Sequence, residues 1–161
     1  MEKLGAKIKI EAGYIEASCN ELKGAKIVLP FPSVGATENL MMAAAYAKGE
    51  TVIDNAAREP EIEDLANFMI KLGFDVKGAG SSTISINGKQ IDEIGTKEVV
   101  HEIIGDRIEA ATYIIGALIT NSEARVEGFK SAHLDIVLDT LKTMGAQLKI
   151  EENAVEVKKS G

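Results

Sequence analysis

The chain has 161 residues, 45% of them hydrophobic and 27% charged, with a net charge of -7 and a pI near 4.9. That is enough for one compact domain or two small ones, and its acidity argues against a nucleic-acid binder, which needs a clustered basic face. A single cysteine, Cys19, excludes an intramolecular disulfide, and no apolar run reaches the ~18 residues of a membrane span, so the expected setting is a reducing cytoplasm without membrane or nucleic-acid partners.

In chain order, Lys3, Leu4 and Gly5 read as the tail of a helix, and AKIKIEAGYIEAS after them alternates about a polar turn as a hairpin does. Cys19 closes that hairpin beside Ser18 and Asn20, with no His or Lys neighbour to activate it, so it reads as inert. An apolar strand, Lys26 to Leu29, then runs into PFPSVGATEN. Pro30 and Pro32 forbid a continued ladder, Gly35 permits close approach to the backbone, and Ser33 is a natural N-cap. The amides of Val34, Gly35 and Ala36 would then point out of a helix N-terminus that favours phosphate; the plainer reading is a capped strand-to-helix turn. The helix runs from about Val34 to Lys48, and Met41 and Met42 with Ala43 to Ala45 read as a close-packing face.

A strand at Thr51 to Asn55 leads to AREPEIED, where Pro60 suits the first helical turn and Glu59, Glu61, Glu63 and Asp64 crowd the N-terminus of the next helix. Solvated acids complementing the dipole account for Glu63 and Asp64; Arg58 beside Glu59 could orient a ligand or a loop. After a hairpin at FDVKGAGSSTISI, the polar stretch Asn87 to Thr96 is the best linker candidate, although a boundary nearer Gly105 is open because Glu98 to Ile104 reads as another strand. Asp106 explains itself as an N-cap, Arg107 less so, and a helix to about Thr120 and a strand at Ala124 to Glu127 follow. His101 and His133 are too few for a metal cluster and read as surface or capping residues.

The main regularity is a repeat. Ile62, Leu65, Ala66, Met69 and Leu72 share a helix face ended by Gly73, and Leu134, Val137, Leu138, Leu141 and Met144, each 72 residues later, share another ended by Gly145. An alternating hairpin follows each glycine, and the N-terminal hairpin is a third copy. The predicted unit is strand, helix, strand, helix, hairpin, an α/β (α+β) architecture with helices on one face of a mixed sheet. The chain thus opens inside a unit, which reads as an internal fragment.

LPFPSVGATENLMMAAAYAKGETVIDNAAREPEIEDLANFMIKLGF, with GAGSSTISI and GDRIEAATYIIGALI, closely resembles the UDP-N-acetylglucosamine enolpyruvyl transferase family, over essentially the whole chain and most strongly from Pro30 to Gly73. The resemblance implies inside-out α/β domains of three units each, with residues 1–104 in the catalytic-loop domain and 105–161 opening the other. It implies transfer of the enolpyruvyl group of phosphoenolpyruvate to the 3-hydroxyl of UDP-N-acetylglucosamine in peptidoglycan synthesis, without a cofactor or metal. Phe31, Pro32, Ser33, Val34 and Gly35 match the loop that contacts the UDP portion, with Phe31 where some members carry lysine. Glu59, Glu61, Asp106 and Arg107 match residues that support the cleft. The family's lysine-asparagine pair, reactive cysteine, candidate base aspartate and phosphoenolpyruvate-gripping arginines have no counterpart, so the chain alone is expected to be silent and, with helix faces lacking partners, to self-associate. A non-catalytic interaction module of the same fold is the alternative; the shikimate-pathway transferase fits AREPEIEDLANF poorly.

Overall fold

The computed structural model describes residues 1–90, 93 and 98–159, and the chain divides into two compact units, Met1–Glu102 and Ile103–Gly161. In the first unit, the hairpin β1 (Lys7–Glu11) and β2 (Tyr14–Ser18) precedes β3 (Lys26–Val28), α1 (Val34–Ala44), β4 (Glu50–Asp54), α2 (Pro60–Lys71), β5 (Asp75–Lys77) and β6 (Thr83–Asn87). β3 pairs parallel with β4, and β4 and β5 both pair antiparallel with β6, in the order β3-β4-β6-β5. β4 alternates because one face meets the helices: Ile53 joins Ile27, Val76, Ile84 and Ile86 in a core closed by Leu40, Met41 and Ala44 of α1 and Ile62, Ala66 and Met69 of α2. The opposite face carries hydrogen-bonded polar pairs, Lys26 and Thr83 on Asp54 and Asn87 on Asp75.

The second unit contains α3 (Arg107–Ile119), β7 (Ala124–Glu127), a short 3-10 turn (Ser131–Leu134), α4 (Asp135–Thr143) and the hairpin β8 (Gln147–Glu151) and β9 (Ala154–Lys158), in a sheet ordered β7-β9-β8. It repeats β4-β6-β5 strand for strand. Its core gathers Ala110, Ile114 and Ala117 of α3, Leu138 of α4 and Val155 and Val157 of β9.

The 72-residue repeat holds down to individual hydrogen bonds. At the end of α2, Gly73 N–H donates to Ile70 and Phe74 N–H to Met69; at the end of α4, Gly145 N–H donates to Lys142 and Ala146 N–H to Leu141. Both are the six-to-one and five-to-two bonds of a left-handed helix stop, and the two glycines sit at φ 97° and 100°. The packing repeats less fully, since Leu72 is half-buried while its counterpart Met144 is exposed. Met42 likewise lies in solvent although Met41 is buried.

One reading of the sequence is corrected here. Glu98 to Ile104 forms no strand: the segment lies partly against α2 through Val100 and His101, and Val100 and Ile103 project into solvent instead of a ladder. Among the described residues β7 therefore lacks the parallel neighbour that β3 gives β4. Of the linker expected at Asn87 to Thr96, Asn87 ends β6 and Gly88 and Lys89 lie against the end of α1, where a Cβ on Gly88 would meet the Ala47 carbonyl oxygen at 1.9 Å. Residues 91, 92 and 94–96 of that stretch lie outside the described residues.

Candidate functional site

The parallel pair β3 and β4 places two loops at one rim, because parallel neighbours end on the same side. Residues 30–33 leave β3 and residues 55–59 leave β4. Leu29 is held between them, its N–H donating to Asp54 and its carbonyl accepting from Asn55 Nδ2, both at 3.0 Å. Asn55 manages this from φ 57°, a left-handed conformation that asparagine tolerates.

The entrance to α1 is built as a cap. Ser33 is extended, its Oγ accepts from Ala36 N–H at 3.3 Å, and its carbonyl accepts from the amide and hydroxyl of Thr37 at 2.9 and 2.8 Å. The Ala36 amide is thus already engaged, which corrects the expectation of three outward amides. Those of Val34 and Gly35, the first two of the helix, have no carbonyl one turn back to reach. Gly35 is exposed, and a Cβ there would meet nothing within 4 Å. Phe31 and Pro32 flank this opening in solvent, while Ser33 and Val34 are half-buried.

Thr37 joins the two loops. Fully buried, it donates to Ser33 and accepts from Ala57 N–H at 3.0 Å, one residue before Arg58. The sequence reading missed it, although a threonine on the core stripe of a helix that otherwise buries Leu40, Met41 and Ala44 is itself a signal. The structure thereby brings the 31–35 turn and the Arg58–Glu59 corner onto one rim. Glu59 takes the N-cap position of α2 but turns its carboxylate back to accept from Arg58 N–H at 2.8 Å. Glu61 is half-buried in the first turn of α2.

In the second unit, Asp106 caps α3, accepting from Ile108 and Glu109 N–H at 2.8 and 3.1 Å, and Arg107 is half-buried at the first helical position. Gly105 packs so closely on β7's end that a Cβ would lie 1.8 Å from the Gly128 carbonyl oxygen. A concavity of about 200 Å³ beside it is lined by Asp106, Glu109, Tyr113 and Glu127, a set that repels anions.

His101 is not a surface residue: its side chain is 8% exposed and its Nε2 lies 3.1 Å from Asp64 Oδ1, so Asp64 is not a solvated acid either. Cys19 Sγ lies against the Gly5 and Glu21 carbonyls. Among the described residues no group of three His, Cys, Asp or Glu side chains is placed to hold a metal, and no helix is long and apolar enough to cross a membrane.

The profile of the EPSP synthase (3-phosphoshikimate 1-carboxyvinyltransferase) family matches residues 1–161. The chain is 48% identical over 154 residues to UDP-N-acetylglucosamine 1-carboxyvinyltransferase of Nocardia farcinica, covering 96% of this chain and 35% of that protein. It is 50% identical over 153 residues to UDP-N-acetylglucosamine 1-carboxyvinyltransferase 2 of Clostridium tetani, covering 95% and 35%. It thus spans little more than a third of the length of these curated relatives. Among solved structures, the enolpyruvyl transferase NikO of Streptomyces tendae superposes with a TM-score of 0.84 at 21% identity, over 98% of this chain and 40% of that one. EPSP synthase of Acinetobacter baumannii superposes with a TM-score of 0.60 at 25% identity, over 96% and 37%. A match along its whole length, on a fold shared with solved enolpyruvyl transferases, places the chain in the EPSP synthase family.

Proposed function

We propose that this chain is part of a UDP-N-acetylglucosamine 1-carboxyvinyltransferase, supplying the turn that receives the UDP portion of the sugar nucleotide. In that reaction the 3-oxygen of UDP-N-acetylglucosamine bonds to C2 of phosphoenolpyruvate, its proton is lost, and inorganic phosphate leaves. The observation that carries this reading is the mouth of α1. There the Val34 and Gly35 amides, the first two of the helix, have no carbonyl one turn back, and an exposed glycine has nothing within 4 Å of a Cβ placed on it, in a chain about half identical to transferases of that name.

Phe31, Pro32 and Ser33 shape the approach, and the loop from Arg58 to Glu61 completes the rim. Asp106 and Arg107 would support closure from the second unit, which we assign to the second domain of the parent enzyme. The relatives are nearly three times as long, so the reactive cysteine, the base and the arginines that grip phosphoenolpyruvate belong to the rest of such a protein. The reaction belongs to the cytoplasm and to cell-wall synthesis, and needs no metal or cofactor.

Calorimetric titration with UDP-N-acetylglucosamine, shikimate 3-phosphate and RNA tests this. Heat is expected with the first alone, and Gly35→Asp, which has room for its side chain but sets a carboxylate at the helix mouth, should abolish it. No phosphate should be released when phosphoenolpyruvate is added. Binding of RNA, or turnover by the chain alone, would overturn the reading.

A further inference from the structure

Ile62, Ala66 and Met69 turn one stripe of α2 into the core. Asp64, Phe68 and Lys71, offset by two residues, form a second stripe about 200° around the helix, again at i, i+4 and i+7. All three grip one short segment: Asp64 Oδ1 is 3.1 Å from His101 Nε2, the Phe68 ring centroid is 5.2 Å from that of the imidazole, and Lys71 Nζ donates to the Val100 carbonyl at 3.3 Å. Residues 98–102 have no ladder or helix of their own, so these side chains take the place of backbone pairing. They do so at the last residues of the first unit, which ends at Glu102.

We propose that Asp64, Phe68 and Lys71 form a clamp that seats the connector on the outer face of α2, with His101 as the residue it grips. The clamp fixes where the chain leaves the first unit. An ionised carboxylate only accepts, so the ring nitrogen that faces Asp64 carries a proton. Nδ1 is buried and meets no partner among the described residues, which leaves the ring's orientation to Asp64 and Phe68.

The test uses the whole chain and no ligand, so its failure is separate from failure of the functional reading. A glutamate-specific protease cuts after Glu98 and Glu102, on either side of the clamp. Asp64→Ala and His101→Ala should speed cleavage there about tenfold, while amide exchange at Phe74 and across β6 stays as in the parent chain. Asp64→Asn, which keeps an acceptor, should cleave nearly as slowly as the parent, and the parent's ¹⁵N spectrum should show the bonded proton on Nε2. Unchanged cleavage in the alanine variants would overturn the clamp, as would loss of protection spread equally through α2, which would make the pair a brace for the helix alone.

Discussion

A threonine hydroxyl with no access to water has to find its partners within the protein, and Thr37 finds them in two different loops. It donates to the carbonyl of the residue that caps its own helix and accepts the amide of Ala57 across the rim. Valine in its place keeps the shape and leaves the Ala57 N–H buried without an acceptor, at a cost of ~1–3 kcal/mol. Thr37→Val is therefore expected to lower the unfolding free energy of the first unit by that amount, read as a lower urea midpoint with an unchanged m-value, while Thr37→Ser loses much less. A Thr37→Val protein as stable as the parent would show that the two loops are joined by other means. Ser33, by contrast, reads directly from sequence because capping is local, whereas the partner of Thr37 lies twenty residues away.

At the scale of elements, the second unit carries a charge network on the open face of its sheet. Arg125 on β7 meets Glu151 on β8 and Glu156 on β9, both at 2.7 Å, and also Glu127; Lys149 meets Glu151 at 2.7 Å and Glu156 at 3.2 Å. Hydrogen bonds from Arg125 first and Lys149 second hold the Glu151 carboxyl down at about 2, against an ordinary value of 4.5. A group depressed in the folded state stabilises it above the unfolded pKa, and that contribution fades as pH falls from about 4.5 through about 2. The side-chain ¹³C signal of Glu151 should therefore titrate near pH 2, and Arg125→Gln should raise its midpoint toward the ordinary value. A midpoint near 4.5 in the parent chain would mean that the network is not held in solution. The strands that carry these residues were legible because strict alternation fixes which side chains share a face, and the glycine stops of α2 and α4 because a left-handed residue after an apolar stripe is a local signal. Glu98 to Ile104 misled for the converse reason. Val99, Val100, Ile103 and Ile104 suit a strand, but a strand exists only where a neighbour is free to pair, and the clamp on α2 took Val100 and His101 instead.

Over the whole molecule, three hairpins among the described residues follow one plan, and two of them pack into a core. β1–β2 pairs Lys7 with Ser18 and Glu11 with Tyr14, while β8–β9 pairs Gln147 with Lys158 and Glu151 with Ala154, the same register 140 residues on. In β8–β9 the inward residues Val155 and Val157 are buried in a core that contains α3 and α4. Their counterparts at Ile15 and Ala17 are exposed, and Ile10 beside Ile15 stands 74% in solvent. A ribbon with one apolar face and a bare β2 edge is a template for another chain, and in a solution of this protein the available partner is a second copy. The ribbon is small against the ~1,200 Å² that stable interfaces bury, so association should be weak and dependent on concentration. Light scattering should show the mean mass rising from 17.2 kDa toward twice that value as protein is concentrated. Ile10→Lys with Ile15→Lys should hold it at the lower figure without changing the helical circular dichroism. A mass that stays at one chain in concentrated solution would mean that the exposed ribbon is tolerated as it stands.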